Sequence, residues 1–193
     1  MSLVKIDAKA FVNHSKVNDA LGINAFNDNA KWVYPEGTSP DIKTVTEDKK
    51  ELEEASYAIE RISSSGCTNI GAAINLANIM IGKTSLKGKA FVLLSDGQHN
   101  TGPEPANVLG NEPPIYIAGL GVIQTDYFNR LRAKNIYSKF YNAPNAEYMA
   151  VIFNQIVADT RNEPLAYNAY EQRSCESQER EFNFHIDCKE STE

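Results

Sequence analysis

The segment LLSDGQHNTGP, residues 93 to 103, runs from an apolar stretch straight into a carboxylate, Asp96, followed by glycine and a polar loop. A second segment, SGCTNIGAAINLA at 65 to 77, sets Gly66, Thr68 and Asn69 immediately before a stripe of apolar residues at helical spacing. A hydroxyl and a carboxylate are hard oxygen donors. Magnesium takes near-octahedral oxygen ligation at about 2.0 to 2.1 Å, commonly from few protein oxygens and several waters, so Thr68 and Asp96 on two loops would suit it. Manganese and calcium are the alternatives. Each residue also has a local reading: Ser-Asp-Gly suits the start of a tight turn, and the Thr68 hydroxyl suits the amino-terminal cap of the helix that follows. Capping and coordination do not exclude each other.

Two such loops must be held by a scaffold, and the hydrophobic pattern indicates its class. Leu3, Ile6 and Ala10 predict one face of a first helix, DALGINAF at 19 to 26 a strand, and KWVYP a short neighbouring strand. Leu52, Ala55, Ile59 and Ile62 form one helical stripe; Ile70, Ala73, Ile74, Ala77 and Ile81 form another. AFVLL at 90 to 94 and IYIAGL at 115 to 120 are apolar throughout, as parallel strands covered on both faces are. Helices are predicted at 125 to 134 and, through Met149, Ile152, Phe153 and Ile156, at 145 to 159. This order predicts an α/β fold with a doubly wound, mostly parallel sheet and helices on both faces. In such a sheet ligands sit beyond the carboxyl ends of the strands, where Asp96 falls.

Composition narrows the function. A chain of 193 residues with 42% hydrophobic content accommodates one well-buried domain and a tail. A net charge of -6, with 19 scattered Lys and Arg, speaks against a nucleic-acid surface, which needs a clustered basic face. No apolar run approaches the roughly 20 residues that span a bilayer, and MSLVKIDAKAF lacks the features of a signal peptide, so the expectation is a soluble fragment without membrane insertion. Cys67, Cys175 and Cys188 do not make a disulfide framework and leave the compartment open. Composition changes after about residue 160, which predicts a domain at 1 to 159, a linker at 160 to 180 and a strand-like tail at 181 to 193.

Other motifs carry less. GKTS at 82 to 85 lacks the earlier glycine of a phosphate-binding loop and reads as a helix carboxyl cap. GLG at 119 to 121 reads as a strand-ending turn. His14, His99 and His185 lack zinc-site spacing, and His99, nearest the proposed crevice, reads as a solvated loop residue. Cys67 reads as a small packed residue, since no general base accompanies it. An α/β hydrolase-like enzyme using the same crevice is the alternative to a binding module, but no G-x-S-x-G elbow is present and no motif pairs a nucleophile with a base.

SSSGCTNIGAAINLA, KAFVLLSDGQHNTGP and PIYIAGLG resemble the second half of a von Willebrand factor type A domain, and AKAFV and DALGINAF resemble its first helix and the next strand. The likeness runs over roughly residues 1 to 158 and implies a Rossmann-like fold. It places Thr68 and Asp96 at the second and third elements of that family's metal-ion-dependent adhesion site. The implied function is metal-bridged recognition of a protein ligand that presents an acidic side chain, without catalysis; the compartment stays open, a cell-surface or extracellular parent protein being one option.

The family's first element, D-x-S-x-S after the first and central strand, does not precede the first helix here, so the resemblance implies a domain truncated at its amino terminus and weak metal binding. In the tail, Phe182, Phe184 and Ile186 alternate with Asn183, His185 and Asp187 as a strand with one apolar face. Two expectations follow. Either this is the start of a following β domain, or the chain is circularly permuted and the tail enters the empty position, with Asp187 and Ser191 in the outer places of D-x-S-x-S and Lys189 in the middle one. An unfilled position would also suit a strand-mediated dimer.

Overall fold

A computed structural model describes residues 2–63, 65–86, 88–95, 99–110, 113–120, 126–143 and 146–161. In chain order the elements are α1 (Ser2–Val12), β1 (Ala20–Leu21), β2 (Ile23–Phe26), β3 (Ala30–Tyr34), β4 (Lys43–Thr44), α2 (Lys50–Glu60) and α3 (Ile70–Ile81). There follow β5 (Phe91–Ser95), α4 (Pro105–Val108), β6 (Ile115–Leu120), α5 (Asp126–Lys134), β7 (Lys139–Ala143) and α6 (Ala146–Arg161). β5, β6 and β7 form a parallel sheet in that order, with Leu93 opposite Ile117 and Ile117 opposite Phe140. β2 and β3 form an antiparallel hairpin, and β1 pairs with β4.

Successive side chains of a strand point to opposite faces, and both faces of the parallel sheet are covered. Phe91, Leu93, Ile115 and Ile117 pack against Ile70 and Ile74 of α3 and Phe128 and Leu131 of α5. On the other face Tyr116 and Ala118, with Val92 and Leu94 beside them, meet Met149, Ile152, Phe153 and Ile156 of α6. A third cluster joins Val12, Tyr34 and Val45 to Leu52, Ala55, Ala58 and Ile59 of α2. The chain is thus an α/β protein with helices on both sides of a parallel sheet.

Several expectations change in detail. The face of α1 turned inward carries Asp7 and Val12, with Ala8 and Phe11 beside them, whereas Ile6 is 57% exposed. α1 lies against both α2 and α6, so two neighbours, rather than one apolar stripe, decide what it buries. The strand expected at 19 to 26 is two strands with different partners, β1 with β4 and β2 with β3. β4, α4 and the edge strand β7 are additional elements. α6 continues to Arg161, two residues into the expected linker; the rest of the linker and the tail, with Asp187 and Ser191, lie outside the described residues. No helix among the described residues is long and apolar enough to cross a membrane.

Candidate metal-binding loops

Thr68 stands between the end of α2 and the first turn of α3. Its backbone N–H donates to Asn100 Oδ1 at 2.8 Å, and the Asn100 N–H returns a bond to the Thr68 carbonyl at 3.1 Å. The threonine loop and the loop after β5 are therefore tied together at Thr68 itself. Two glycines make the fit possible. Gly102 has φ +81°, which a side chain would strain, and a Cβ there would lie 2.1 Å from Asn69 Nδ2. At Gly71, in the first turn of α3, a Cβ would sit 1.9 Å from the Pro103 carbonyl oxygen. Only a bare backbone admits the loop that closely.

Asp96, with Gly97 and Gln98, lies outside the described residues, between the described Ser95 and His99. Ser95 ends β5 and is buried. The Thr68–Asn100 pair thus brings Thr68 to the loop that carries Asp96.

Thr68 is not the helix cap. Asn69 takes that place, its Oδ1 accepting from the Ala72 N–H at 2.9 Å. Asn69 reaches the residue three positions ahead with an amide oxygen, which also leaves the preceding hydroxyl free of that task. Thr68 is half-buried, and its Oγ1 has no hydrogen-bond partner among the described residues, so its lone pairs are available to a hard cation. That donor chemistry fits a divalent ion held by hydroxyl, carboxylate and water. No group of three or more His, Cys, Asp or Glu among the described residues is arranged to hold a metal.

The turn between β2 and β3 supports the threonine loop from the other side. Asn69 donates its N–H to the Asn27 carbonyl at 2.8 Å and its Nδ2 to the Asp28 carbonyl at 2.9 Å. Asn27 Nδ2 donates to Ser65 Oγ, and the Cys67 N–H to Asp28 Oδ1. Asn27, Asp28 and Asn100 escaped the sequence reading; a turn-forming N-D-N between two strands is the signal that was available.

Two expectations here are corrected. Cys67 is exposed rather than packed, and the Asp28 carboxylate, by hydrogen bond and charge, pushes its thiol up from the ordinary value. A thiol so held is a poorer nucleophile at neutral pH. His99 is half-buried rather than solvated, and its Nδ1 is buried without a hydrogen-bond partner among the described residues. The reading of GKTS as a helix end holds: Gly82 caps α3, and Lys83 Nζ bonds to Ser39 Oγ and the Pro40 carbonyl.

No family profile and no curated protein matches the sequence. Solved structures do match in shape. One described as a von Willebrand factor type A protein from Catenulispora acidiphila superposes with a TM-score of 0.72 at 16% identity, over 82% of this chain and 38% of that one. BatB from Bacteroides thetaiotaomicron gives 0.63 at 17% identity, covering 83% and 88% of the two chains. Proximal thread matrix protein 1 of the mussel byssus, with a zinc-occupied metal-ion-dependent adhesion site, gives 0.62 at 18% identity, over 81% of this chain and 39% of the mussel protein. The chain therefore spans well under half of the first and last of these proteins. Helices on both faces of a parallel sheet, with the threonine loop and the loop after β5 joined at one end of it, constitute the fold of a von Willebrand factor type A domain.

Proposed function

We propose that the chain is a non-enzymatic recognition module that holds a divalent cation between Thr68 and Asp96 and uses it to bind an acidic side chain of a protein partner. The observation that carries this reading is the reciprocal bond between Thr68 and Asn100, which joins the threonine loop to the loop bearing Asp96. Thr68 would supply its unengaged hydroxyl, and Asp96 would act mainly through ordered water. The zinc-occupied site of the mussel protein supports a divalent ion at this place in the fold. When bound, the cation supplies an open coordination position for a carboxylate.

With two protein donors the affinity for magnesium is expected to be weak, so location is a better test than tightness. Manganese is paramagnetic and broadens nearby amide resonances. Added to the 193-residue chain, it is expected to broaden Thr68 and Asn100 and to spare Tyr137, which lies in the turn before β7 at the other end of the sheet. Asp96→Ala and Thr68→Ala should each remove most of the effect. Broadening around Thr68 that neither substitution reduces would reject the site.

A further inference from the structure

The starts of β5, β6 and β7 lie at the end of the sheet opposite the threonine loop. Phe91 pairs with Ile115, the Ile115 N–H donates to Ser138 Oγ, and Tyr116 pairs with Lys139. The segment leading into β5 and the turn leading into β7 are therefore two strand spacings apart, about 10 Å.

The turn into β7 holds two apolar side chains outward. Asn135 and Ser138 are buried and fasten it from below. The Ser138 N–H donates to the Asn135 carbonyl at 3.0 Å, and the Tyr137 N–H to Asn135 Oδ1 at 3.0 Å. Between these two anchors Ile136 is 73% and Tyr137 70% exposed, and Leu86, in the segment into β5, is exposed as well. Scattered apolar residues on a surface are ordinary, but an adjacent pair at the tip of a clamped turn marks a contact surface.

The surroundings of that pair are basic, although the chain as a whole carries a net charge of -6. Residues 130–139 contain Arg130, Arg132, Lys134 and Lys139 and no Asp or Glu. Arg130 is paired with Glu104 and Lys139 with Asp159, whereas Arg132 and Lys134 are exposed and form no ion pair with a described residue. On the β5 side, Lys83 bonds to Ser39 Oγ and the Pro40 carbonyl, and Lys89 to the carbonyls of Ile81 and Thr84. These partners are neutral oxygens, so both ammonium charges stay uncompensated. Asp41, next to Pro40 in the chain, offsets one of the four.

We propose that this end of the domain docks on an anionic lipid bilayer, with Ile136 and Tyr137 entering the interfacial layer and Arg132, Lys134 and Lys83 lying among the headgroups. Charge complementarity selects the sign of the surface, and shape selects its kind. A protruding apolar pair needs a matching hollow on a protein, whereas a bilayer offers apolar chains a side chain's length beneath a negative surface. Tyrosine suits that boundary, since its ring is apolar and its hydroxyl reaches water. The chain would lie on the membrane without spanning it, and the threonine loop, at the opposite end of the sheet, would face away from the lipid. Thr68 and Asp96 take no part, so the docking does not rest on the function proposed above.

Sedimentation of the 193-residue chain with sucrose-loaded vesicles, in EDTA at low salt, tests this. Each basic residue near an anionic surface contributes about fivefold, so vesicles of phosphatidylcholine with phosphatidylglycerol should bind at least roughly tenfold more tightly than phosphatidylcholine alone. Lys134→Glu should weaken binding by roughly tenfold or more. Ile136→Ser combined with Tyr137→Ser should do the same, while Ile6→Ser, at an exposed site on α1, should change nothing. The unaltered chain serves where a variant does not fold: mixed vesicles should slow reductive methylation of Lys134 severalfold and leave Lys50, on α2, unprotected. No binding, equal binding to both vesicles, or equal protection of Lys50 and Lys134 overturns the proposal. Binding that the paired Ile136 and Tyr137 substitutions leave unchanged also overturns it, and assigns the basic end to an acidic protein surface instead. Thr68→Ala should remove the manganese effect and leave vesicle binding intact, so each proposal can fail without the other.

Discussion

Gly71→Ala tests the joint between the threonine loop and the loop after β5. In an open helix the change is favourable by about 1 kcal/mol, because alanine has the higher helix propensity. Here the new methyl would lie 1.9 Å from the Pro103 carbonyl oxygen and 2.9 Å from its carbon. Ordinary contact requires the loop to retreat by about 1.5 Å, and overpacking of that kind costs about 1 to 3 kcal/mol. The loop cannot retreat alone. Gly102 is seated on the Asn69 side chain, and Asn100 is bonded twice to Thr68, so withdrawal also weakens two hydrogen bonds worth roughly 1 kcal/mol each. The clash and the lost bonds outweigh the helix gain, and a net destabilisation of roughly 1 to 3 kcal/mol is expected. Urea unfolding measures it, with Gly37→Ala as control, since the nearest atom to a Cβ there is 3.9 Å away. The control should fall within about 0.5 kcal/mol of wild type. A Gly71→Ala variant as stable as wild type, or more stable, would show that Pro103 does not press on the start of α3 and would remove the ground for bringing Thr68 to the loop of Asp96.

Two further outcomes follow from titratable groups. Glu51 Oε2 accepts bonds from the Thr46 N–H at 3.0 Å and the Thr46 hydroxyl at 2.8 Å, and these bonds hold its carboxyl below the usual value of 4.5. The stabilisation is therefore present above pH 4.5 and is lost as pH falls through the folded-state value, so Glu51→Gln should be less stable than wild type at pH 7, with the difference closing under acid. Urea midpoints at several pH values check this, and a difference that does not change with pH contradicts it. Asp28→Asn removes the charge that raises the Cys67 thiol, so the pH midpoint of its reaction with a thiol reagent should move down; an unmoved midpoint would mean that the Asp28 carboxylate is not beside the sulfur.

The parts legible in the sequence are those where one neighbour decides burial. AFVLL and IYIAGL are apolar throughout because β5 and β6 are covered on both faces, and α3 follows its stripe through Ile70 and Ile74. α1 departs from its apolar stripe because it is wedged between α2 and α6, which draws Asp7 and Val12 inward and leaves Ile6 outside. β7 opens on Lys139 and among the described residues is paired on one side only, so KFYNA carries a weaker apolar signal than the strand beside it. Around the site, Thr68 was recognised by its place before a helix. Its partner Asn100 was not, because a bond between residues 32 positions apart leaves no local pattern. Capping, one of the two readings open for Thr68, falls to Asn69 instead, since both have side chains suited to it and only the course of the backbone distinguishes them.

The bond between Arg161 and Asp19 also bears on synthesis. It closes a sequence separation of 142 residues, and Phe153 of the same helix supplies the ring against which Phe11 rests. Contacts of such range carry a high loop-closure cost and form late. A nascent chain will therefore leave Phe11 of α1 without its partner ring until α6 has left the ribosome, whatever the order in which the strands assemble.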